Sequence, residues 1–123
     1  MEAKIYSVSS ACFHLNKSNP PQLIISAAGQ VNSSGWNNGR LVPWIYVAPP
    51  SDGIQDFDFI ATSPEGVVLW MLMPISGQGT IELPGWATGV RIHSSSNKVE
   101  VNLDDANCAV DFRAVSPIAV PQS

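Results

Sequence analysis

Lys98-Val99-Glu100-Val101-Asn102-Leu103 alternates polar and apolar side chains without a break. Successive residues of an extended chain point to opposite faces, so Val99, Val101 and Leu103 share a buried face and Lys98, Glu100 and Asn102 face water. Just upstream, Val90-Arg91-Ile92-His93 repeats the pattern, and Ser94-Ser95-Ser96-Asn97 supplies turn residues between the two runs. The pair predicts a β-hairpin. Downstream, Cys108-Ala109-Val110-Asp111-Phe112-Arg113-Ala114 places Cys108, Val110, Phe112 and Ala114 on one face.

Further strands follow in the N-terminal half. Residues 23–31 put Leu23, Ile25, Ala27 and Val31 on one face, with Gly29 marking a bulge or a close approach. Residues 55–61 set Phe57, Phe59 and Ala61 against an outward, solvated Asp56 and Asp58. Residues 5–15 read as a long opening strand and 80–83 as a short edge piece. Residues 41–48 and 67–73 are apolar on both faces, the pattern of strands covered on both sides. Phe57, Phe59, Val99, Val101, Val110 and Phe112 are expected in one inner layer.

Turn signals separate these runs, among them Asn19-Pro20-Pro21, Asn38-Gly39, Pro49-Pro50-Ser51-Asp52-Gly53 and Ser63-Pro64-Glu65-Gly66. Their short, regular spacing predicts an all-β fold, an antiparallel β-sandwich of about eight or nine strands. Its expected topology is immunoglobulin-like or jelly-roll-like. Residues 1–115 form the expected single domain, and 116–123, with Pro117 and Pro121, an extended tail.

Composition narrows the function. The 123 residues carry 6 Lys plus Arg against 10 Asp plus Glu, a net charge of −4. Such an acidic chain has no basic footprint for nucleic acid. Its richest apolar run, 67–75, contains Pro74 and is far too short to span a bilayer. With no secretory leader in view, the expected location is the cytoplasm. Cys12 and Cys108 are too few and too far apart for a disulfide-rich framework or a metal knuckle. They read as two buried thiols, with a disulfide between the first and last strands as the sharper alternative.

Groups for catalysis are sparse. His14 and His93 fall in strands, there is no G-x-S-x-G elbow, and the S-x-x-K spacing at Ser95 to Lys98 sits in a turn rather than on a helix. Asp52, Asp56 and Asp58 offer oxygen ligands without an EF-hand spacing, so no metal and no cofactor is expected. The tryptophans carry more information. Trp36, beside Asn37, Asn38 and Arg40, and Trp86 lie in turn-rich segments where an indole can stack on a ligand. Trp44, Tyr46 and Trp70 lie in the charge-poor apolar runs and are candidate interface residues.

The leading expectation is a non-catalytic β-sandwich that binds a protein partner, its own copy included, as a homo-oligomer. A lectin-like carbohydrate-binding module using Trp36, Asn37, Asn38 and Arg40 is the alternative. A small hydrolase or metal enzyme around His93 is the third.

Overall fold

In the computed structural model, which describes residues 1–104 and 107–110, the chain runs through nine strands. They are β1 (Glu2–Lys4), β2 (Ser7–Asn16), β3 (Gln22–Val31), β4 (Asn37–Pro43), β5 (Ile54–Thr62), β6 (Met73–Glu82), β7 (Gly89–His93), β8 (Lys98–Asn102) and β9 (Cys108–Val110). Two sheets face each other as a β-sandwich. One has the order β6-β3-β2-β9. The other is built on β5, which carries β4 along one edge. On its opposite edge β5 pairs in parallel with β7 and, farther along, antiparallel with β1. β8 closes that side as the expected hairpin with β7.

Alternation positions the core as the sequence implies. Leu23, Ile25, Ala27 and Val31 of β3 face Phe57, Phe59 and Ala61 of β5, Val90 and Ile92 of β7, and Val99 and Val101 of β8, all buried. Each such large side chain contributes roughly 1.5–3 kcal/mol by leaving water. Gly29 sits opposite a bulge between Val8 and Ser10. A Cβ there would lie 2.3 Å from the Ser7 carbonyl oxygen, so the close approach requires glycine. The Ser94–Asn97 turn is fastened to the same bulge, Asn97 bridging the backbone N–H and C=O of Val8 at 2.9 and 2.8 Å.

Several expectations are corrected. The opening strand read at 5–15 is β2, starting at Ser7, and a short β1 not expected from sequence precedes it in the other sheet, the chain changing sheets at Ile5, whose N–H donates to Phe59 O. Residues 44–48 are not a strand: β4 ends at Pro43 and the chain folds back across its own sheet. Residues 67–72 are not a strand either, and 80–82 are the end of the ten-residue edge strand β6 rather than a short separate piece, Leu83 lying beyond it. The two apolar runs are therefore not covered on both sides.

The reason lies where β4 crosses β6. A Cβ on Gly77 would fall 2.9 Å from the Phe59 ring and 3.0 Å from Arg40 N, and one on Gly79 would fall 2.9 Å from Leu41 O. Only a Gly-x-Gly segment fits against that backbone. Ser76-Gly77-Gln78-Gly79 takes the strand position, and the bulky 67–72 run is left outside.

Cys12 and Cys108 are not free thiols but a disulfide joining β2 to β9. Ala11 and Phe13 point into the core, so Cys12 must lie on the outer face. Bonding to it puts Cys108 on that face too and turns Ala109 toward the core. The face assigned from sequence is thus reversed, and Val110, expected inside, is 48% exposed. Phe112, Ala114 and the tail lie outside the described residues.

Candidate functional site

Parallel pairing of β5 with β7 sets Asp56 beside Arg91, and antiparallel pairing of β7 with β8 sets Arg91 beside Glu100. All three side chains stand on the outer face, since Phe57, Ile92, Val99 and Val101 occupy the inner one. The expectation of a solvated Asp56 fails here. It is only 5% exposed, because residues 44–53 lie over it.

The Asp56 carboxylate collects three partners. Tyr46 donates its hydroxyl to Oδ2 at 2.6 Å. Arg91 Nη1 reaches Oδ1 at 3.1 Å, and His93 Nε2 lies 2.7 Å from the same oxygen. An ionised carboxylate only accepts, so His93 carries its proton on Nε2. Arg91 also donates to Glu100 at 3.1 Å and to Asp52 at 3.4 Å. Trp44 stacks on the His93 ring, centroids 4.7 Å apart, and Trp86 meets Tyr46 edge-on at 5.7 Å.

The electrostatics follow from this packing. Burial works against charge on Asp56, but the hydrogen bonds from Tyr46 and His93 and the charge of Arg91 outweigh it and hold the carboxyl below its ordinary value. Burial, then the bond to Asp56, pushes the Tyr46 phenol up to about 12. Arg91 loses some preference for charge to burial, yet Glu100 and Asp56 raise it overall. The cluster is a clamp that fixes the 44–53 segment to the sheet.

Beside the clamp, at the end where β4 and β6 finish, a cleft of about 380 Å³ opens between residues 43–49 and 81–86. Trp44, Tyr46, Gln55, Glu82 and Trp86 line it together with Pro43, Pro49 and Pro84. The turn bearing Trp86 is held by Ala87 N–H on Pro84 O and Thr88 N–H on Gly53 O.

The residues singled out from sequence divide between two ends of the molecule. Trp36 packs against the core and donates its indole N–H to Ser33 Oγ at 3.0 Å. Asn37 and Asn38 are exposed, and Asn37 borders a second hollow of about 340 Å³ with Ser34, Thr62 and Pro64. Arg40 pairs with Glu2 and with Asn38 O. Trp86 is not part of that group; it belongs to the cleft beyond the far end of β4. Of the candidate interface residues, Trp44 and Tyr46 lie over their own sheet, whereas Trp70 is 79% exposed on the 63–72 loop. Sequence reading missed Gln55, Arg91 and the role of Asp56, because only the β5–β7 pairing and the returning loop bring them together.

Asp52 and Asp56 both engage Arg91, and Asp58 engages Lys4. Among the described residues no three His, Cys, Asp or Glu side chains gather as metal ligands, and no hydroxyl or thiol is hydrogen-bonded to His93. No helix of the described residues is long and apolar enough to cross a membrane. Comparison with protein-family models, curated proteins and solved structures found no match.

Proposed function

We propose that the chain is a non-catalytic binding β-sandwich whose partner is another protein chain, in the first place its own copy. The observation that carries this reading is the 63–72 loop. Val67, Leu69, Trp70, Met71 and Leu72 are each more than half exposed there. The loop backbone is pinned, since Ser34 N–H donates to Leu69 O at 2.9 Å and Leu69 N–H to Ser34 Oγ at 3.0 Å. An apolar patch on a fixed backbone loses little entropy when it is covered. Residues 66–81 contain no charge to oppose the approach of a like surface. Closed symmetric dimers are the commonest outcome of such self-recognition.

Sedimentation equilibrium at micromolar protein tests this reading. The expected result is a species heavier than the 13.2 kDa chain that dissociates in Trp70→Ser and Leu72→Ser variants. A monomer throughout, or an oligomer indifferent to both changes, overturns it. The Cys12–Cys108 disulfide supports an oxidising compartment in place of the cytoplasm read from sequence.

A further inference from the structure

The cleft at the end of β4 and β6 carries a second inference, independent of self-association. Gln55 is only 4% exposed. Its amide nitrogen donates to Trp44 O at 3.1 Å and to Asp56 O at 3.0 Å. Both partners are carbonyls, which cannot donate, so the amide orientation is fixed and Oε1 is left over. That oxygen accepts no hydrogen bond from the described residues and is not sealed from solvent. A held, nearly buried acceptor is thus presented to the cleft. Glu82 adds an exposed carboxylate on the β6 side, and the half-buried Trp86 adds an indole whose N–H has no partner among the described residues.

This set selects a ligand chemistry. Two acceptors require donor hydrogens, and aromatic and proline walls require an apolar surface beside them. No Lys, Arg or His lines the cleft, which speaks against an anion. A polyproline segment has few N–H groups to offer Gln55 and Glu82. A quaternary ammonium offers none. Sugar rings combine hydroxyl donors with an apolar C–H face, and about 380 Å³ lies within the roughly 300–1,000 Å³ of small-ligand sites.

We propose that this cleft binds a neutral saccharide, its ring against Trp86 and its hydroxyls hydrogen-bonded to Gln55 and Glu82. The site is not the Trp36 end singled out from sequence, where the indole N–H is already engaged by Ser33.

Isothermal titration of the intact, oxidised chain with maltotriose, cellotriose, chitotriose and mannotriose tests the assignment. At least one is expected to bind in the millimolar range or tighter. Trp86→Ala and Glu82→Gln should each weaken it about tenfold. Glu82→Gln preserves side-chain shape, so it reports on the cleft even where Trp86→Ala disturbs folding. Trp70→Ser, at the other end of β6, should leave saccharide binding unchanged while removing self-association, which separates the two readings. Failure of all four sugars to bind, or binding that survives both cleft variants, overturns the proposal. So does binding of decaproline or tetramethylammonium in their place when Trp86→Ala abolishes it.

Discussion

The Tyr46 hydroxyl donates to the Asp56 carboxylate at 2.6 Å while accepting the Asp56 backbone N–H at 2.9 Å. One phenol thus fastens a returning loop to the middle of a sheet through both the side chain and the main chain of a single residue. The loop lines the cleft with Trp44, so the clamp shapes the proposed binding surface as well as stabilising the fold.

Tyr46→Phe removes the donor and leaves a nearly buried carboxylate and a backbone N–H short of partners. The expected loss of stability is about 1–3 kcal/mol by urea denaturation. The raised phenol also sets a pH limit. A folded-state value of about 12 against the ordinary 10.0 gives stability that is complete below pH 10 and lost as pH rises through 12. Ultraviolet titration should show one phenol ionising near 12, absent in Tyr46→Phe.

Asp56→Asn strips the charge from the centre of the clamp and should cost roughly 2–3 kcal/mol at neutral pH. The folded-state value of Asp56 is lowered from 3.8, so its contribution is present above that value. It disappears as pH falls through the lower folded-state value. Denaturation curves of the natural chain and the variant should therefore converge below pH 4 and diverge above it.

The disulfide closes a separation of 96 residues. Cross-linking across so long a loop restricts the unfolded chain strongly, and Cys12→Ser with Cys108→Ser should cost about 2–5 kcal/mol. Thermal unfolding with and without a reductant measures it. Equal midpoints would show that the cross-link constrains nothing.

Gly77→Ala introduces a methyl group 2.9 Å from the Phe59 ring and 3.0 Å from Arg40 N. Overpacking there should cost about 1–3 kcal/mol. Gly66→Ala provides the contrast for crowding, since nothing lies within 4 Å of its Cβ position; its φ of +83° leaves only backbone strain. A Gly77→Ala protein as stable as the natural chain would show that β4 and β6 can separate.

The sequence by itself determined the all-β class, the hairpin at 90–102 and the inward set Phe57, Phe59, Val99 and Val101, because strict alternation leaves one choice of buried face. It also grouped Trp36 and Trp86 as loop-borne indoles without telling their two ends of the molecule apart. Tertiary structure alone decided which apolar segments became strands. Residues 67–72 have strand-like composition, yet Gly77 and Gly79 occupy the place beside β4 because the backbones approach too closely for any side chain. Likewise, the Cys12 bond set the face of β9 against its own alternation. Asp56 reads as a solvated strand residue until Arg91, His93 and Tyr46 arrive from a parallel strand and a returning loop. Local periodicity encodes which face a residue prefers, whereas the partner strands and the covering loop are supplied by contacts distant in sequence.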